Sequence, residues 1–238
     1  MTTNAPSAPS VNPSDFSHST HSTPSSKRIA VFGAGGRVGR AVVAEAVARG
    51  HAVTAVVRDP AKYADLGSDA VTVVRGDATD AASVRNVTAG HDAAVNASVR
   101  LDVPSEEYFV SAAEAMTTGL TAAGVGRLVV LGIATTLETA PGVRVMDAPG
   151  FPEQYRVFSQ GHVAEFAALG AVGSELDWLM VVPPLDLDPQ APRTGRYRTA
   201  VGTVLDGPGH ISHPDLALAV LDEIDEPGHS RVQLAVAD

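Results

Sequence analysis

Apolar and polar positions along this chain fall into two alternating kinds of segment. Short runs rich in Val, Ile, Leu and Ala at 28–32, 51–57, 70–75, 93–96, 127–131, 178–182 and 232–236 predict strands. Between them, apolar residues at helical spacing predict helices over 37–49, 80–88, 106–123, 159–169 and 213–223. Ser212 and Asp215 stand at capping-box spacing and fix the start of the last helix. The strands are near-continuous apolar runs, as expected when both faces are covered. The pattern therefore predicts an α/β fold, a doubly wound, mainly parallel sheet with helices on both faces. Two long stretches, 132–158 and 183–211, show no period. Both follow predicted strands, so both are expected as binding loops or lids at the carboxyl edge of the sheet.

Composition changes the picture only at the N-terminus. Of residues 1–26, 16 are Ser, Thr or Pro, which is too little apolar surface to offset the entropy of ordering them. This segment is expected to be a disordered tail, and it lacks the basic start and apolar core of a secretion signal. Residues 27–238 then form one domain. A net charge of −10 argues against nucleic acid, and no window reaches the apolar length of a membrane span. The chain has no cysteine, which removes disulfides, thiol nucleophiles and Cys-based metal sites. Its eight histidines are scattered, so no metal is expected. The expectation is a cytoplasmic monomer or homodimer acting on a small molecule, with no membrane partner.

The first strand runs into Gly33-Ala34-Gly35-Gly36-Arg37-Val38-Gly39, and a helix follows at once. A strand turning tightly into a helix leaves several backbone N–H groups unpaired at the positive end of the helix dipole. That arrangement binds a pyrophosphate. Gly33 would allow the turn, Gly36 the approach of phosphate and Gly39 the packing of helix on strand, with Gly35, Arg37 and Val38 completing the loop. The second strand ends in Arg58, 19 positions past Gly39, where NAD binders usually carry a carboxylate for the ribose. A guanidinium instead suits the 2′-phosphate of NADP, and Arg37 would add charge. Asp59 is the competing NAD-type carboxylate, but Asp59-Pro60 reads better as an N-cap followed by proline. NADP(H) is expected, with NAD as the alternative.

Asp77 and Ala78 follow the third strand, where the Asp77 carboxylate would accept from the adenine amino group or cap a helix. Asn96 and Ala97 end the fourth strand, with Asn96 either a cofactor contact or a structural bridge between strands. Tyr155 is the natural candidate for a Ser-Tyr-x-x-x-Lys reductase site, yet Ser159 stands where the lysine would be. The only lysines are Lys27 and Lys62, and neither is expected near the site. A tyrosine without that partner is a poor acid at neutral pH. His162, one helical turn further, is the other candidate acid. Thr135 and Thr136, just beyond the fifth strand, are placed to hydrogen-bond nicotinamide or substrate.

Segments 29–39, 57–60, 75–80 and 176–183 resemble the atypical short-chain dehydrogenase/reductases of the NAD(P)H-binding, NmrA-like group. Stretches 127–142, 147–155 and 194–198 are most similar to bacterial NADH–flavin reductase-type proteins, with flavin/biliverdin reductase more distant. The resemblance covers residues 27–238. It implies a Rossmann-like fold, bound NAD(P)H and reduction of a flavin or quinone-like acceptor. Where relatives tend to show Gly-Gly-Ala-Gly-Ser, this chain has Gly132-Ile133-Ala134-Thr135-Thr136, and Thr136 keeps a hydroxyl at the serine position. Together these features point to an NADP(H)-dependent oxidoreductase. A cofactor-sensing regulator without turnover is the first alternative, and a biosynthetic isomerase or dehydratase the second.

Overall fold

The computed structural model describes residues 26–238 apart from 172, 174, 189 and 208. The expected Ser/Thr/Pro-rich tail lies, but for Ser26, outside the described residues. In chain order the strands are β1 (Arg28–Phe32), β2 (Ala52–Val57), β3 (Val71–Arg75), β4 (Ala93–Asn96), β5 (Arg127–Leu131), β6 (Glu138–Ala140) and β7 (Val143–Arg144). They continue as β8 (Asp177–Val182), β9 (Asp186–Asp188), β10 (Arg198–Val201), β11 (His210–Ser212) and β12 (Gln233–Ala237). The α-helices are α1 (Arg37–Ala48), α2 (Ala81–Thr88), α3 (Ser105–Ala123), α4 (Glu153–Gly170) and α5 (His213–Asp225).

Eight strands form one sheet in the order β10-β12-β8-β5-β4-β1-β2-β3, parallel throughout except for β10, which runs antiparallel to β12. Alternation along β1 shows how the sheet is covered. Ile29 and Val31 pack with α1 and α5 on one face, while Ala30 and Phe32 pack with α2, α3 and α4 on the other. The expected Rossmann-like doubly wound architecture is what forms. Strand order reverses between β1 and β4, and this opens a crevice at their carboxyl ends.

Three elements differ from the sequence reading. Helix α4 begins at Glu153, six residues before its expected start, because its first turns face solvent: Tyr155 and Val157 are more than half exposed. Gly161, inside that helix, lets it approach α3, since a Cβ there would stand 2.9 Å from the backbone and side chain of Ser105. The stretch 183–211 supplies the edge strand β10, whose Arg-Thr-Ala-Val is exposed but for the half-buried Ala200 and carries no apolar period. The stretch 132–158 folds into a 3₁₀ turn (Ala134–Thr136) and the β6–β7 hairpin.

Candidate functional site

The turn from β1 to α1 forms the floor of the crevice. Gly33 has a φ of +75°, which favours glycine, and its carbonyl accepts from Gly36 N–H at 2.9 Å. Gly39 packs so tightly that a Cβ would lie 2.1 Å from the Gly33 oxygen. A Cβ on Gly36 would instead meet only that oxygen, at 3.3 Å, and is otherwise in open space. Gly36 is the N-cap of α1; no side chain caps the helix and its first turn holds no acid. Such a start suits an anion.

Above this floor lies a groove of about 480 Å³. Its walls come from Arg58 and Asp59 after β2, the Pro60–Leu66 3₁₀ turn, Gly76-Asp77-Ala78 after β3, and Ala97 to Arg100 after β4, with Tyr108 of α3 behind them. Asp59 accepts from Ala61 N–H at 3.2 Å and so caps that turn, as its pairing with Pro60 predicts. Arg58 is exposed and makes no hydrogen bond or ion pair among the described residues. Arg100 is clamped by Asp102, and that hydrogen bond holds the Asp102 carboxyl down to about 2. Asp77 accepts from the Thr79 N–H at 2.9 Å and its hydroxyl at 2.7 Å while lining the groove. Asp80 caps α2.

A family model described as NAD(P)H-binding matches residues 33–227, from the glycine turn to just beyond α5. The chain belongs to this NAD(P)H-binding family. The uncharacterized Bacillus subtilis protein YwnB is 32% identical over 88% of this chain and 97% of its own. A Burkholderia pseudomallei structure, provisionally named as an exported protein, is 36% identical with a TM-score of 0.79, covering 89% of this chain and all of its own. A Streptococcus pneumoniae structure, provisionally named as an NADH-flavin reductase, is 27% identical with a TM-score of 0.76, covering 89% and 99%. Among the described residues no helix is long and apolar enough to cross a membrane.

Within this NAD(P)H-binding frame, the groove gathers Gly33, Gly35, Gly36, Arg58, Asp77, Ala78 and Ala97 of the residues singled out in the sequence. Four others stand back from its lining. Arg37 is exposed at the first position of α1, Val38 packs against the core, and Gly39 lies under the loop. Asn96 is buried behind Ser98, accepting from both its N–H and its hydroxyl, while the Tyr108 hydroxyl donates to Ser98 at 2.7 Å. Among the described residues the Asn96 side chain bonds only to Ser98, two positions on, so it neither lines the groove nor bridges two strands. Burial is the main force raising the Tyr108 hydroxyl above its ordinary range.

The three catalytic candidates do not meet. Thr136 is buried; its hydroxyl donates to the Ile133 carbonyl at 2.9 Å and accepts from Gln233 at 2.8 Å, which takes it away from nicotinamide or substrate. Thr135 accepts from Ser159 in the interior. Tyr155 stands exposed on the first turn of α4. His162 is buried, with Nδ1 2.8 Å from Glu165 Oε2 and its ring centroid 3.8 Å from that of Phe109. It is an interior histidine, and burial is the main force raising the Glu165 carboxyl. Neither Tyr155, His162 nor Thr136 lines the groove.

Lys62, expected to be remote, lines the groove, and so do Tyr63, Ser98, Arg100 and Tyr108. The Asp59-Pro60 cap already marked a helical turn after β2, so the return of Lys62 and Tyr63 to the groove was open to inference. Nothing local marks Tyr108, which sits on α3 and reaches Ser98 only through the fold.

Proposed function

We propose that the protein is an NADP(H)-dependent oxidoreductase that passes hydride to a flavin, a quinone or a similar flat acceptor. The observation that carries this reading is Arg58, an unpaired guanidinium at the end of β2 with Lys62 on the same wall, while the neighbouring Asp59 is engaged as a cap. Two charges of this kind suit a 2′-phosphate rather than bare ribose hydroxyls. The uncapped start of α1 and the open space at Gly36 fit a pyrophosphate.

In this reading the backbone N–H groups of Gly35, Arg37 and Val38 hold the pyrophosphate, Gly36 leaves room for it, and Gly33 and Gly39 shape the turn beneath it. Arg58 and Lys62 take the 2′-phosphate, while Asp77, Ala78 and Ala97 flank the adenine. When bound, NADPH supplies a hydride; a flat acceptor takes it together with a proton from water. The protein orients the two and contributes no acid of its own, so Tyr155, His162 and Thr136 are free to do other work. The naming of the pneumococcal structure supports the choice of acceptor. A small-molecule substrate met in the cytoplasm, by a monomer or homodimer, belongs to the same reading.

The interior commitments of Thr136 and His162 also favour a second reading, a cofactor-sensing regulator without turnover. Mixing the protein with NADPH and a panel of free flavins and quinones separates the two. Consumption of NADPH that depends on both protein and acceptor supports the oxidoreductase. Tight NADPH binding with no turnover across the panel overturns it in favour of the regulator.

A further inference from the structure

The Pro60–Leu66 turn presents Lys62 and Tyr63 to the groove. Tyr63 departs from helical geometry there, with φ −123° and ψ 25°. Its ring lies directly on Gly35: a Cβ built on that glycine would stand 2.4 Å from Cε1 and 2.6 Å from Cζ. Gly35 has no positive φ, so what excludes a side chain is the tyrosine above it rather than the backbone. The Tyr63 hydroxyl makes no hydrogen bond among the described residues, so the ring itself makes the contact.

Two further contacts fasten the same turn. The Lys62 ammonium lies 5.4 Å from the Tyr63 ring centroid, within cation–π range. Arg40 of α1 pairs with Asp65 at 2.7 Å and also reaches the ring, at 5.9 Å. Lysine carries its charge on a flexible stem, and a loose turn beneath it would add further freedom to be lost on binding.

We propose that Tyr63, seated on Gly35, is a positioning residue for cofactor discrimination: it fastens the turn to the glycine loop and so holds Lys62 on the same wall as Arg58. This rests on the NADP(H) reading of the same groove. It gives Gly35 a role separate from phosphate binding, as the seat of the ring. The ligand feature that Tyr63 serves is a phosphate on the adenosine ribose.

Calorimetry with 2′,5′-ADP and 5′-AMP, which differ only in the 2′-phosphate, tests this without turnover, since neither probe carries nicotinamide. The parent protein binds 2′,5′-ADP more tightly. Tyr63→Ala weakens 2′,5′-ADP by about tenfold, the worth of one charge-assisted contact, and leaves 5′-AMP within about twofold. Tyr63→Phe keeps the ring and the parent discrimination. Gly35→Ala unseats the ring and loses the same discrimination, but adding it to Tyr63→Ala costs less than about twofold more, because the Cβ then has room.

If Tyr63→Ala weakens both probes equally, or neither, the positioning role falls while the NADP(H) reading stands. Discrimination kept in Gly35→Ala likewise removes the seat. Equal binding of the two probes by the parent protein overturns the NADP(H) reading, and this inference with it.

Discussion

A Cβ on Gly39 would stand 2.1 Å from the carbonyl oxygen of Gly33, whereas one on Gly36 would meet that same oxygen at 3.3 Å and little else. The two glycines therefore separate folding from binding. Gly39→Ala forces the helix off the loop and lowers the melting temperature by at least about 4 °C. Gly36→Val leaves the fold intact and fills the space above the loop, so NADPH affinity falls beyond detection by calorimetry. Unchanged affinity in Gly36→Val removes the pyrophosphate from this loop.

Asp215 joins α5 to the loop before β10. Its carboxylate accepts from the backbone N–H groups of Thr194 and Gly195, both at 2.8 Å, and from the hydroxyls of Thr194 and Ser212. Desolvation works to raise this carboxyl, but those donors outweigh it and its pKa is lowered. A carboxyl lowered in the folded state adds stability above its unfolded pKa, near 4, and loses it as pH falls through the lower folded value. Asp215→Asn should cost about 1.5–3 kcal/mol at neutral pH and less as pH falls below about 4. Denaturant melts of parent and variant across pH check the sign. A gap that widens in acid contradicts it.

Neither Thr136 nor Tyr155 stands where the catalytic role suggested by its sequence position would need it. Thr136→Val leaves the buried Gln233 amide short of a partner, which costs about 1–3 kcal/mol of stability. Tyr155→Phe changes an exposed side chain and leaves both the melting temperature and NADPH turnover with a flavin within error. A thousandfold loss of turnover in Tyr155→Phe would instead mark a carbonyl-reductase mechanism.

The sequence was most legible where the physics is local. The apolar runs of β1 to β5, the glycine turn, the Asp59 cap and Arg58 at a strand end are all set by neighbours within a few residues. The first turns of α4 and the edge strand β10 escaped because their side chains face solvent and carry no apolar period. The bond from Gln233 to Thr136 joins residues 97 apart, and the seat of Tyr63 on Gly35 joins the turn after β2 to the loop after β1. Neither leaves a mark in the order of residues. For that reason a threonine at a familiar loop position read as catalytic, and a lysine that lines the groove read as remote.

Arg58 is the residue on which NADP(H) preference turns, and one comparison tests it: dissociation constants for NADPH and NADH, measured by calorimetry on the parent protein and on Arg58→Ala. The parent should prefer NADPH. A contact between charged groups contributes about 1.5–3 kcal/mol, so Arg58→Ala should weaken NADPH roughly ten- to a hundredfold and leave NADH almost unchanged. Equal weakening of both cofactors, or a parent protein that prefers NADH, would contradict the account.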